Sequence, residues 1–161
     1  MKLVRPLIPT AAMLAFSLAG FAQGLPTRKN LTIDLAQTIA REALATCRAA
    51  GYKVSIRVVD ADNMVKVILR DDDAFPSSEA VTVLKASTVI LTGKDSGPPA
   101  NLPAGAQAPA AAPGTTYFPG GVAIKVGGQV IGALGISGAP GGDKDAACGN
   151  AALAKLADRL K

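Results

Sequence analysis

The sequence predicts an α+β fold in which helices flank an antiparallel sheet, and three observations support this. Segments 54–70 and 118–138 each alternate apolar and polar residues on both sides of a short turn, which is typical of β-hairpins. Apolar residues at helical spacing precede, separate and follow these hairpins. Each hairpin pairs its own two strands, so antiparallel pairing is expected throughout, with room for a short additional strand near Tyr117.

The first helix is expected to begin after Thr32, whose hydroxyl suits an N-cap, and to end at Gly51. Asp34 in its first turn complements the helix dipole. The apolar residues between these ends form one face, which predicts a helix lying on the sheet: Leu35, Ala36, Ile39, Ala40, Ala43, Leu44 and Cys47.

The first hairpin begins with the alternating residues Val54, Ile56 and Val58. Residues 60–63, with the sequence Asp-Ala-Asp-Asn, have the composition of a turn, because Asp and Asn bond to their own backbone and tolerate left-handed conformations. Residues 64–70 then form the returning strand.

Three carboxylates, Asp71, Asp72 and Asp73, follow the hairpin and raise the alternative of a hard-cation site. On an extended segment neighbouring side chains point to opposite faces, so the three do not converge simply. A calcium site also needs more oxygen ligands than this run offers. We therefore predict a solvated strand end, followed by a helix N-cap at Ser77, and no metal site.

The segment 77–92 combines helical spacing with many β-branched residues. Its Ser-Ser-Glu start and the Gly93 that follows it favour a helix. Lys85 lies beside the apolar row of this helix. Its side chain has two interpretations, an amphipathic lysine at the surface or one that reaches into a cleft.

The segment 93–116 is rich in Pro, Ala and Gly, which predicts a long extended loop that is either a lid or an irregular excursion. In the second hairpin, Gly127 and Gly128 supply the tight turn. Gly132 and Gly135 leave room for a side chain, a backbone or a ligand against the sheet. We expect the side of the sheet notched by these glycines to be free for a ligand.

The residues after Gly138 predict a glycine turn and a last helix, with Asp143 as its cap and Asp145 in its first turn. The side chains expected to face the sheet lie at helical spacing: Ala146, Asn150, Leu153, Leu156, Ala157 and Leu160.

The front of the chain has the layout of a secretory signal peptide. Lys2 and Arg5 precede an apolar run over residues 11–21, and Gly20 and Ala22 suit the positions before a cleavage site. The apolar run is too short to span a bilayer comfortably, so no membrane span is expected after cleavage.

The chain is accordingly divided into a signal peptide over residues 1–22, a mobile leader over residues 23–30 and one domain over residues 31–161. The expected location is periplasmic or secreted. The net charge of +5 is too mild to indicate nucleic acid binding, and no basic run or aromatic cluster supports it.

The two cysteines, Cys47 and Cys148, would enter an oxidising compartment in which they could pair. Cys47 lies on the apolar face of its helix, whereas Cys148 lies away from the face that carries Leu153 and Leu156. This angular mismatch favours Cys47 as a small core residue over a disulfide, which is kept as the alternative.

The absence of histidine from the sequence excludes several chemistries within one chain: a Ser-His-Asp triad, a Cys-His pair and a His-ligated zinc or haem. The glycines of GGQVIG lie within a hairpin and no helix follows them, so they do not form a phosphate loop. No poised acid–base pair is visible. The sequence therefore favours a binding protein over an enzyme.

Four segments together resemble the GlcG/HbpS family of small haem-binding-type proteins. They are GYKVSIRVVDADNMVKVILRDDDAF, the helix carrying Lys85-Ala86, FPGGVAIKVGGQVIGALGISG and GGDKDAAC, and they cover most of residues 31–160. The resemblance implies a profilin- or PAS-like fold with a five-stranded antiparallel sheet and flanking helices. It also implies homo-oligomers, binding of haem or corrinoids and, for some members, extracellular redox sensing.

The predicted function is therefore that of an exported, non-catalytic protein that binds haem or another tetrapyrrole, accessory to redox or stress sensing. The residues expected near the ligand are Lys85, Tyr117, Phe118, Gly120, Gly121 and Met64. The haem would not be histidine-ligated, so Tyr117, Met64 or Lys85 would meet the iron, or apolar contacts alone would hold the group. The alternatives are a binding module for a small organic acid, with Lys85 as its charged contact, and an enzyme that uses the same cleft.

Overall fold

The computed structural model describes residues 28–103 and 106–161. The helices are α1 (Ile33–Ala49), α2 (Ser78–Thr92) and α3 (Gly142–Lys155), followed by a short 3-10 helix (Ala157–Arg159). The strands are β1 (Ser55–Asp60), β2 (Val65–Arg70), β3 (Gly121–Val126) and β4 (Gln129–Ser137). The signal peptide predicted for residues 1–22 and most of the predicted leader lie outside the described residues. Among the helices of the described ranges, none combines the length and the apolar character needed to cross a membrane.

The two predicted hairpins are confirmed, and they join in one antiparallel sheet with the strand order β2-β1-β4-β3. The central pairing runs between β1 and β4, from Ser55 opposite Ser137 to Asp60 opposite Gly132. Gly127 and Gly128 have φ values of 57° and 81°, as a primed hairpin turn requires.

The expectation of a fifth strand was wrong, because the sheet has four strands in the described part of the chain. The segment around Tyr117 gives its backbone hydrogen bonds to side chains instead of a strand. The N–H of Thr116 donates to Thr88 Oγ1 at 2.9 Å and that of Phe118 to Thr116 Oγ1 at 3.1 Å. Pro119 has no N–H to offer.

Helices α1 and α3 pack on one face of the sheet and enclose the larger core. The Thr32 side chain caps α1 by accepting from the Leu35 N–H at 3.3 Å, and Gly51 ends it with a φ of 81°, both as predicted. The buried residues of α1 lie within the predicted face: Ala36, Ile39, Ala40, Ala43 and Cys47.

Helix α2 covers the other face, so the expectation that the notched side of the sheet is free was wrong. A Cβ atom at Gly135 would clash with the backbone oxygen of Thr82 in α2. On the opposite face, a Cβ atom at Gly132 would lie 2.9 Å from the side chain of Leu31. The notches at Gly132 and Gly135 are therefore filled by protein atoms.

The face of helix α3 was predicted only in part, since Leu153, Leu156 and Leu160 do pack against the core but are only partly buried. Its buried residues are Asp145, Cys148, Gly149 and Ala152, whereas Asn150, predicted to face the sheet, is exposed. Gly149 allows close contact, since a Cβ atom there would lie 2.9 Å from the side chain of Val122. The hydrophobic pattern missed this face because two of its four residues are not hydrophobic.

Cys47 and Cys148 form a disulfide that links α1 to α3, with Cα atoms 5.4 Å apart. The angular argument against pairing was wrong, because it placed Cys148 away from the buried face of α3. Cys148 lies on the buried face of α3 together with Asp145 and Gly149, and it faces α1. The disulfide therefore fastens α3 to the rest of the fold.

Candidate functional site

A cleft of about 360 Å³ opens at one end of the sheet, where the N-termini of α2 and α3 approach the end of β4. We call it the Lys85 cleft and define it by six of its lining residues: Phe75, Ser78, Lys85, Phe118, Gly142 and Asp145. Of the six residues predicted to contact a ligand, it contains Lys85 and Phe118. The other four lie elsewhere.

Lys85 is buried at the cleft, with 2% of its side chain exposed, so its interpretation as a surface lysine does not hold. Its Nζ donates to Asp145 Oδ2 at 2.7 Å and to the Ile136 carbonyl at 2.8 Å. One of its three protons therefore has no acceptor among the described residues. The pair connects α2 and α3, which lie on opposite faces of the sheet.

Asp145 is held as firmly as its partner. Its Oδ1 accepts the Ala139 N–H at 3.0 Å, and its side chain is 3% exposed. Burial raises the pKa of the Asp145 carboxyl above its ordinary value, while the hydrogen bond from Lys85 acts in the opposite direction. The result is a buried ion pair. Removing either partner alone would leave an isolated charge at the cleft.

Gly120 and Gly121 lie behind Lys85 and do not line the cleft. A Cβ atom at Gly120 would lie 2.7 Å from Lys85 Nζ and 2.8 Å from the Asp145 Cβ, and one at Gly121 would clash with the Lys85 carbonyl oxygen. These glycines make the space through which the lysine passes the end of β3. They act on the site by positioning the ion pair.

Two phenyl rings stand at the rim of the cleft. Phe75 is 68% exposed and Phe118 is 66% exposed, which is unusual for side chains of this size. Phe75 precedes α2 and was not among the predicted site residues. The pair offers apolar surface at the mouth of a cleft whose floor is charged.

Tyr117 and Met64, both considered as iron ligands, lie outside the Lys85 cleft. Tyr117 lines a separate cavity with Thr88 and Thr92, near the C-terminal end of α2. Met64 is 64% exposed in the turn between β1 and β2. The structure therefore does not bring them together with Lys85.

The helix N-termini at the cleft carry no capping side chain. The N-cap residues of α2 and α3, Ser77 and Gly141, make no side-chain cap hydrogen bond. The hydroxyl of the neighbouring Ser78 is bonded to that of Ser55 at 2.7 Å. Backbone N–H groups at a helix N-terminus carry partial positive charge, which acidic side chains in the first turn of each helix partly balance here.

The acidic run after β2 is solvated only in part, because Asp72 and Asp73 are exposed whereas its first residue is buried. Asp71 is 1% exposed and accepts two hydrogen bonds from Arg48, at 3.0 and 2.7 Å. These bonds lower the pKa of the Asp71 carboxyl. Within the described ranges, no group of three or more His, Cys, Asp and Glu side chains could hold a metal ion.

Four of the six residues that define the cleft were missed by sequence reasoning: Phe75, Ser78, Gly142 and Asp145. The signal for Asp145 was its spacing to Cys148, Gly149 and Ala152, which places it on the buried face of α3. No comparable signal marks Phe75, because its place at the rim depends on how α2 meets α3. Together the groups give the cleft an apolar rim and a polar floor that contains the Lys85–Asp145 ion pair.

The comparisons with known proteins agree on one family. The family model described as "Haem degrading protein HbpS-like" matches residues 31–154. Protein GlcG of Escherichia coli strain K12 is 32% identical over 114 residues, which cover 70% of this chain and 85% of that protein.

Solved structures show the same fold. The crystal structure of HbpS is 30% identical, covers 83% of this chain and 94% of its own, and gives a TM-score of 0.68. A double mutant of Streptomyces reticuli HbpS is 26% identical, with coverages of 94% and 99% and a TM-score of 0.68. The complex of PduOC with haem is 26% identical, with coverages of 78% and 94% and a TM-score of 0.65.

Proposed function

The chain belongs to the HbpS-like family, and on that premise we propose that its Lys85 cleft binds haem or a related tetrapyrrole. The family description and the haem complex of PduOC support a haem-related role. The observation that carries the proposal is the cleft itself, in which two exposed phenyl rings stand above the N-termini of two uncapped helices.

The macrocycle would lie against Phe75 and Phe118, with its carboxylates directed toward the helix N-termini. Flat apolar ligands gain from such aromatic surfaces, and carboxylates from backbone N–H groups. The volume of about 360 Å³ is at the lower end of the range for ligand pockets. The ligand would therefore be enclosed in part and remain exposed on its outer side.

The iron would have no axial imidazole from this chain, because the sequence contains no histidine. Tyr117 and Met64 lie outside the cleft, and the Lys85 ammonium is bonded to Asp145. Contacts with the macrocycle and its carboxylates would supply the affinity. We accordingly place this protein among haem binders that hold the group without histidine.

Binding of a small organic acid by Lys85 is the weaker of the two functions considered for this cleft. The charge of Lys85 is already balanced by Asp145 at 2.7 Å, so a second carboxylate would compete with the first. A small acid would also leave Phe75 and Phe118 without a partner.

Export to the periplasm or the medium, and assembly into a homo-oligomer, are part of the same proposal. The signal-peptide pattern of residues 1–22 supports export, and a disulfide such as Cys47–Cys148 persists in oxidising compartments. Light scattering on the purified protein gives its mass, and a monomer would contradict the assembly.

Titration with hemin tests the proposed function. We expect a saturable shift of the Soret band, with a spectrum that lacks the features of an imidazole ligand. Absence of a saturable shift would remove the proposal, whereas binding of a small carboxylic acid in its place would favour the weaker of the two functions.

A further inference from the structure

We propose that the free edge of the sheet at β2 binds an extended, acidic segment of another protein by strand addition. The outward backbone groups of Ile68 and Arg70, with the side chains of Lys66, Ile68 and Arg70, would provide the site, which we call the β2 edge. This surface is separate from the Lys85 cleft and independent of the proposed function.

The two edges of the sheet are treated differently by the fold. At β3, the loop after α2 closes the edge. The Gly121 N–H donates to Ser96 Oγ at 2.7 Å, the Ser96 N–H donates to the Gly121 carbonyl at 2.9 Å, and the Ala123 N–H donates to Asp95 Oδ1 at 2.8 Å. At β2, no loop, helix or side chain of the described residues bonds to the strand backbone.

The pairing of β1 with β2 shows which backbone groups of β2 face outward. The Asp71 N–H donates to the Val54 carbonyl at 2.9 Å, and Leu69 lies opposite Ile56. Because hydrogen-bonded positions alternate along an antiparallel pair, residues at 67 and 69 bond to β1. The N–H and carbonyl groups of residues 68 and 70 then point away from the sheet, while residue 66 is the extra residue at the register shift of this pair.

The side chains around the β2 edge are apolar and basic. Helix α2 lies over β1, β4 and β3, and leaves Ile68 45% exposed beside Lys66 and Arg70. On the other side, a groove of about 280 Å³ runs between α1 and β2, and Arg41 lines it. Among the described residues, the one carboxylate that forms an ion pair with these cations is Asp60, at 3.2 Å from Lys66 and also bonded to the turn backbone.

Charge decides between two occupants, an acidic partner and a second copy of this chain. In an antiparallel pair of two β2 strands centred on Ile68, Lys66 of each copy would lie opposite Arg70 of the other. Like charges directly opposite one another destabilise a strand pair. An added strand that carries carboxylates at those positions would instead form opposite-charge pairs, and we therefore assign the edge to an acidic partner.

The test uses two dye-labelled peptides of equal length, one alternating Glu with Thr and the other Lys with Thr. We expect the acidic peptide to bind saturably in fluorescence anisotropy, at least about tenfold more tightly than the basic one, and less tightly as salt is raised. Equal binding of the two peptides, or no binding of either, would overturn the proposal.

Two variants separate strand addition from simple charge attraction. Ile68→Pro removes an outward N–H that the sheet does not use, so the fold should persist while peptide binding is lost. Ile68→Thr keeps that N–H and should bind within about threefold of the parent. Circular dichroism checks both folds.

If Ile68→Pro does not fold, the combined variant Lys66→Glu and Arg70→Glu gives the answer. It should reverse the preference and bind the basic peptide. An unchanged preference would contradict the proposal, as would self-association of the parent that Ile68→Pro abolishes, since a second copy would then be the occupant.

Discussion

At the scale of single residues, the buried pair Lys85–Asp145 is the feature on which the cleft depends. Asp145→Asn would leave the ammonium of Lys85, 2% exposed, without its counter-charge. We expect this variant to lower the free energy of unfolding by about 3 kcal/mol in urea titrations. Adding Lys85→Met should recover part of the loss, because the uncompensated charge is then gone.

Asp158→Asn is the control for this prediction. Asp158 pairs with Lys161 at the surface, and its side chain is 93% exposed. Such pairs contribute little, so its effect should stay below about 1 kcal/mol. A loss in Asp145→Asn no larger than in the control would mean that the buried pair does not stabilise the site.

Gly120 lets Lys85 reach Asp145. Its φ of 119° disfavours any side chain, and a Cβ atom would lie 2.7 Å from Lys85 Nζ. Gly120→Ala should therefore cost about 2–3 kcal/mol of stability, from backbone strain together with displacement of the ion pair.

Gly128→Ala separates these two causes. Gly128 also has a positive φ, 81°, but its Cβ atom would meet nothing within 4 Å. It should show the backbone strain alone, of about 1 kcal/mol. Equal losses in the two variants would contradict the positioning role of Gly120.

Asp71 predicts a pH dependence of stability. Its hydrogen bonds from Arg48 lower the pKa of the folded carboxyl below the unfolded value of about 3.9. The stabilisation is then complete above the unfolded pKa and is lost as the pH falls through the folded one. Asp71→Asn should be less stable at neutral pH, by about 1–2 kcal/mol, and should lose less on acidification toward pH 2. The same acid dependence in both proteins would contradict this assignment.

At the scale of elements, the parts predicted correctly were those set by local patterns. Alternating residues and the turn at Gly127 and Gly128 defined the second hairpin, and spacing with a cap at Thr32 defined α1. The face of α3 was predicted only in part because its buried residues include Asp145 and Gly149. The spacing of these residues to Cys148 and Ala152 marks a helix face, but their burial depends on partners far along the chain, Lys85 and Val122.

The same limit applies to the candidate site. Lys85 and Phe118 were predicted from residue type and position, and both line the cleft. Phe75 was missed because only the meeting of α2 with α3 brings it to the rim. Tyr117 was predicted at the site but lines another cavity. Adjacent residues of an extended segment point to opposite sides, so Tyr117 faces away from the cleft that Phe118 lines.

The disulfide fastens α3, which supplies Asp145 and Gly142 to the cleft. Cys47 and Cys148 are 101 positions apart, so the bond closes a long loop in the unfolded chain. Replacing both by serine should lower the free energy of unfolding by about 2–4 kcal/mol. A reductant should have a similar effect on the parent protein and none on the variant. A parent that is insensitive to reductant while the variant is destabilised would point to packing defects instead.

At the scale of the whole molecule, the sheet lies between α1 and α3 on one face and α2 on the other. The cleft lies where elements from both faces meet. Helix α2 brings Lys85 from one face and α3 brings Asp145 from the other, and the end of β4 supplies the carbonyl of Ile136 between them. The filled notches at Gly132 and Gly135 exclude a ligand from the middle of the sheet. The Lys85 cleft, at the sheet end beneath the two exposed phenyl rings, is the space in which we propose that the ligand binds.

The affinity for hemin of the combined variant Phe75→Ala and Phe118→Ala is the measurement that tests this placement most directly. Leu91→Ala is the matched control, because Leu91 is also an exposed apolar residue, at 67%, and does not line the cleft. We predict that the phenylalanine variant binds hemin at least about tenfold more weakly than the parent, and that the leucine variant binds it as the parent does. Equal affinities in all three proteins would contradict the assignment of the ligand to the Lys85 cleft.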